Sequence, residues 1–169
     1  MFQLYGTASL VSFWYWVLCI LVWSHVCNRT LGVPHDMVRR AARAPDVAER
    51  VDLLALITSE RIGSVFDGVG VFVAALVGFA LALLGFVGFG IGVEVAKAAF
   101  LLLFPLTIVA YSNLRLALAV RRNRQNGPGL RRSLTLRRFW HTVIGAAALM
   151  FTASIAILEH PGVAWHFLR

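Results

Sequence analysis

Between Asp67 and Glu94 the chain carries no charged residue at all. A surface helix shows a polar side every three to four residues and a half-buried strand every two, and this stretch shows neither. An uncharged run longer than about 18 residues is the mark of a helix that crosses a bilayer. This one is too long for a single crossing, and its end, Gly88-Phe89-Gly90-Ile91-Gly92, has turn composition. The pattern predicts a span over residues 68–88 and a tight hairpin at residues 88–92.

Three further apolar blocks predict spans over residues 9–26, 93–114 and 139–158, the last stopped by His160-Pro161-Gly162. At about 1.5 Å per residue each approaches the roughly 30 Å hydrocarbon core. A chain that is 59% hydrophobic and 14% charged holds more apolar surface than a water-soluble domain of this size buries. The expected fold is all-α, a single membrane domain built as an integral four-helix bundle. The first block is read as a retained span and not as a signal peptide, because no Lys or Arg precedes Arg29 and no small-x-small processing site follows.

Basic residues predict the orientation, since positively charged short loops stay in the cytoplasm. The loop at residues 27–67 holds Arg29, Arg39, Arg40, Arg43, Arg50 and Arg61. The loop at residues 115–138 holds Arg115, Arg121, Arg122, Arg124, Arg131, Arg132, Arg137 and Arg138, with no acid among them. Only Lys97 and Arg169 remain for the other face. Both loops are therefore expected inside and both termini in the periplasm.

The two loops differ. In the first, Asp36, Asp46, Glu49, Asp52, Glu60 and Asp67 balance the arginines, and Pro45-Asp46-Val47-Ala48-Glu49 resembles a capped helix start. A short cytoplasmic amphipathic helix over residues 46–62 is expected, its apolar side formed by Val47, Val51, Leu54 and Ile57 or Thr58, lying on the membrane or a partner. The second loop breaks at Asn126-Gly127-Pro128-Gly129. Its arginines Arg121, Arg122, Arg124, Arg131, Arg132, Arg137 and Arg138 are assigned to orientation and anionic headgroups. Nucleic acid is not an expected partner, because no aromatic platform interleaves them.

Small residues at steps of three or four, Ala74, Gly78, Ala82, Gly85, Gly88 and Gly92 in the second span and Ala148, Thr152 and Ala156 in the fourth, predict close helix packing, with contacts inside the bundle the favoured use. Pro105 is expected to bend the third span. Trp14, Trp16, Trp23, Trp140 and Trp165 fit interfacial belts. Glu94 and Lys97, one turn apart, are expected to pair or to reach water.

Chemistry is harder to find. No Asp, Glu, Lys or Arg falls mid-span, which argues against a pump or a coupled transporter. Cys19 and Cys27 form neither a disulfide framework nor a metal motif, and no nucleophile, base and orienting acid sit together. No metal and no cofactor is assigned. The alternative is a haem-binding electron-transfer protein, since His25 and His141 fall at similar depth near the inner ends of the first and fourth spans and two imidazoles ligate a haem. A small transporter or channel ranks last.

Phe13-Trp14-Tyr15-Trp16, Leu31-Gly32-Val33-Pro34-His35-Asp36-Met37-Val38 and Leu101-Leu102-Leu103-Phe104-Pro105-Leu106 resemble an alphaproteobacterial family of small four-span proteins labelled "component of SufBCD complex". The resemblance runs over nearly the whole chain and carries no catalytic residue across. It implies the inner membrane of a Gram-negative bacterium and a role beside iron–sulfur assembly machinery. The expected function is a non-catalytic accessory or assembly subunit, with lipid and other membrane or cytoplasmic subunits as partners.

Overall fold

The structure, a computed structural model, describes residues 10, 12–123 and 127–159. It is helical almost throughout: α1 Phe13–Asn28, α2 His35–Arg40, α3 Pro45–Gly85, α4 Glu94–Asn123 and α5 Gly127–Glu159. Three helices, α3 with its extension, α4 and α5, are long and apolar enough to cross a membrane, and α1 is a shorter apolar helix. His160-Pro161-Gly162, Trp165, Arg169 and Arg124, all used in the sequence reading, lie outside the described residues.

Between α1 and α2 the chain makes a minimal hairpin that the apolar pattern does not reveal. Strands β1 Arg29–Thr30 and β2 Val33–Pro34 pair antiparallel, Thr30 opposite Val33. The turn between them needs positive φ at both central residues, found at Leu31 (φ 54°) and Gly32 (φ 73°). Leu31 accepts that unfavourable backbone while its side chain is buried, 3% exposed, in the main core.

The amphipathic helix expected over residues 46–62 is not a separate element. It begins with Pro45 in the first turn and runs without a break into the apolar stretch. No proline interrupts it, and Gly63 and Gly68 cost only about 1 kcal/mol each in a helix interior. Its buried side meets the expectation at Val51, with Val47 packed against the core, and departs from it farther along. Val51, Ala55, Ser59 and Gly63 face inward, while Leu54 and Ile57 are exposed. From Ala55 to Gly63 the buried positions are small residues at four-residue steps, and at Gly63 the side chain of Arg121 from α4 lies against the α3 backbone.

At its far end α3 passes into a π-helical turn, Phe86–Gly90, and the reversal is completed by Gly92 at φ 85°. The hairpin thus falls a few residues later than the glycine pattern predicts. α4 continues through the first of the arginines, as its composition suggests, and α5 starts at Gly127, so most of the second loop is helix.

The principal contacts run α1 to α5, α5 to α4 and α4 to α3, which leaves α3 at one edge. Two cores hold this row together. The larger, at the arginine-bearing end, gathers Val38, Val51, Ala55, Leu116, Val120, Leu130 and Leu134, among others, from α2, α3, α4 and α5. Fully burying a leucine such as Leu130 contributes about 1.5–3 kcal/mol. The smaller, at the opposite end, joins Leu10, Ala98, Leu101 and Ala156. There the Tyr15 hydroxyl donates to the carbonyl of Ala98 (3.3 Å) and the Trp16 indole to that of Leu10 (3.0 Å).

Candidate functional site

Small residues along α3 meet two different fates. Near the turn, a Cβ on Gly88 would lie 2.7 Å from the backbone N and Cα of Lys97, and one on Gly85 3.3 Å from the ring of Phe100. These two glycines admit α4. Farther along, Ala74, Gly78 and Ala82 are exposed, and a Cβ on Gly78 would meet nothing within 4 Å. Every residue from 74 to 80 is exposed, a stretch of about two turns, so the helix stands clear of the other described residues on all sides there. None of the 18 residues in its most apolar window is buried. Gly92 belongs to the turn and not to a packing face.

In α5 the corresponding residues are used differently. Thr152 and Ala156 are buried, and the Thr152 hydroxyl returns to the carbonyl of Ala148 (2.8 Å). Ala148 is half-buried and lines an apolar cleft of about 350 Å³ with Phe100, Phe104, Pro105 and Phe151. Pro105 sits inside α4, where it has no N–H to give the carbonyl of Leu101.

The two histidines at matching depth are treated unequally. His25 is exposed in the last turn of α1. His141 is 0% exposed, and among the described residues neither ring nitrogen has a hydrogen-bond partner. One turn on, Gly145 holds its backbone against the Trp23 ring. A haem held by both imidazoles needs the two rings turned to a common space; here one is inside and the other out. Among the described residues no three His, Cys, Asp or Glu side chains gather as a metal site. Both cysteines are free, Cys19 buried and Cys27 half-buried.

The arginines divide into ties and unpaired charges. Arg121 pairs with Asp67 (2.6 Å) and lies across Gly63, joining α4 to α3. Arg137 donates to the Ser112 carbonyl and to its hydroxyl (2.8 Å), Arg138 to the carbonyl of Cys27 (3.2 Å), and Arg131 to that of Ala41 (3.0 Å). Burial and the nearby Arg115 push the Arg137 guanidinium below its ordinary value. Arg122 and Arg132 are exposed. At the other end Lys97 pairs with Glu159 at 2.5 Å, a partner too distant in sequence to suspect beside Glu94.

Asp52 was legible only as one of six balancing acids. Its Oδ2 accepts the backbone N–H of Gly127 at 2.8 Å, placing a carboxylate from α3 at the start of α5. The interaction spans a long sequence separation, and nothing local announces it. No family model, curated protein or solved structure matches the chain.

Proposed function

We propose that the chain is a non-catalytic multi-pass subunit of a larger assembly in a bacterial inner membrane. In this reading it crosses four times, with the basic end in the cytoplasm and both termini in the periplasm. A helix apolar on every side is stable in hydrocarbon and not in water, which supports insertion of α3. The gathering of Arg39, Arg121, Arg131 and Arg138 at one end, away from Lys97 and Glu159, supports the orientation.

One observation carries the subunit reading. Ala74, Gly78 and Ala82 form a small-residue side on a helix segment that no other described residue covers. In lipid such a side lets a second backbone come close, and van der Waals packing rewards it. α1, at 16 residues and about 24 Å, is short for a bilayer and also gains from neighbours.

The test is purification of tagged protein in mild detergent, with the Gly78→Leu variant in parallel and Met150→Leu, on the exposed side of α5, as the control. Wild type and the control should migrate above monomer size with a defined co-isolating protein, and Gly78→Leu should lose it. Migration of wild type as a bare monomer overturns the reading. The resemblance makes iron–sulfur assembly proteins the first partners to probe. A reporter at Gly127 should be active only in a cytoplasmic-facing form.

A further inference from the structure

α2 and the turn after it, residues 41–44, stand opposite the first turns of α5, and between them is a cleft of about 1000 Å³. Arg39 and Arg40 line it from α2, Arg43 from the turn, and Arg131 and Arg132 from α5. Asp36 is the lone carboxylate in that lining among the described residues. Among the described residues none of the five guanidiniums has a carboxylate within 4.0 Å. Orientation in a membrane requires arginines on one side, in any arrangement. It does not require residues from three elements to converge on a single hollow, where their mutual repulsion is a standing cost.

An anion relieves that cost. Guanidinium is charged at every physiological pH, and its planar fork matches two oxygens of a phosphate at once. Arg131 is already anchored to the Ala41 carbonyl, which joins the two walls and holds their separation. His35 lines the same cleft, and burial first, then Arg138 and Arg39, push its imidazole below the ordinary value against the opposing pull of Asp36. A cleft of this volume is at the upper end for small-molecule sites and is larger than one orthophosphate can fill.

We propose that this cleft binds a ligand carrying two phosphate groups, gripped by Arg39, Arg40 and Arg43 on one wall and Arg131 and Arg132 on the other. Two sources offer that chemistry: the double phosphodiester headgroup of cardiolipin, and a soluble diphosphate. The headgroup arm rests on the membrane reading given above, and the soluble arm does not.

Full-length protein is reconstituted in nanodiscs of phosphatidylcholine and titrated with inorganic pyrophosphate by calorimetry. In parallel, protein from vesicles of phosphatidylcholine with a minor fraction of cardiolipin is examined for retained lipid by native mass spectrometry. One of the two probes should bind. Arg39→Gln/Arg43→Gln, and separately Arg132→Gln, should weaken it by about tenfold or more, the usual effect of losing a charge-assisted hydrogen bond. Arg61→Gln, outside the lining, should change it by no more than about threefold. Arg131 is left intact because it also ties Ala41.

Binding of pyrophosphate assigns the soluble source, and selective retention of cardiolipin assigns the headgroup. Binding of neither probe overturns the proposal, as does an Arg61→Gln loss equal to that of the cleft variants, which would mean overall charge alone. Alkaline extraction of the same membranes reports separately on insertion.

Discussion

The indole of Trp23 in α1 lies so close to Gly145 in α5 that a Cβ there would come 2.6 Å from the ring. Trp23 is 5% exposed and cannot swing aside without opening the α1–α5 contact. Gly145→Ala is therefore expected to destabilise the protein by about 1–3 kcal/mol, the range for overpacking a close-fitted interior. Thermal unfolding in detergent, followed by tryptophan emission, measures it. An unchanged midpoint with unshifted emission would show that the contact is loose.

A sharper comparison lies within α3. At Gly88 an added methyl meets the Lys97 backbone, which has no rotamer to give, whereas at Gly78 it meets nothing. Gly88→Ala should cost at least as much as Gly145→Ala. Gly78→Ala should leave the isolated protein unchanged or stabilise it by about 0.5–1 kcal/mol through the lost freedom of the unfolded chain. Equal losses at both positions, measured by the same melts, would contradict the different packing of the two ends.

Why was the helical row legible and its packing not? Long uncharged runs specify helices by composition alone, and the end of α1, the start of α4 and the end of α5 fall close to where those runs change character. Packing partners depend on who stands opposite. Ala55, Ser59 and Gly63 look like gaps in an amphipathic pattern until the helices are packed and these positions are buried. Asp52 and Lys97 find Gly127 and Glu159 only after the helices are assembled. The arginines at residues 39–43 and 131–132 are far apart in sequence, so their common cleft is invisible to any local count. The small-residue steps are visible, but which of them another helix fills within the chain is not.

His141 is enclosed, with both ring nitrogens unbonded among the described residues. A buried polar group without a partner costs about 1–3 kcal/mol, and an apolar side chain of similar size removes that cost. His141→Leu should accordingly raise the melting midpoint. A lowered midpoint would reveal a polar partner for the imidazole, and a visible absorption band lost in the same variant would identify that partner as a pigment.

His35 offers a pH handle at the basic end. Burial lowers its pKa first, then Arg138 and Arg39, with Asp36 opposing, so the folded protein prefers the neutral ring relative to the unfolded chain. For a folded-state value depressed below 6.5, the contribution to stability is fully present above 6.5 and is lost as pH falls through the folded value. Melts taken on a descending pH series should therefore decline more steeply for wild type than for His35→Gln, which has no charge to gain. A diphosphate in the neighbouring cleft would place negative charge beside the ring and reduce the difference between the two proteins, so the series run with and without pyrophosphate also tests whether that anion sits where the five arginines converge. Parallel curves for wild type and variant in both conditions would mean that the ring titrates alike folded and unfolded.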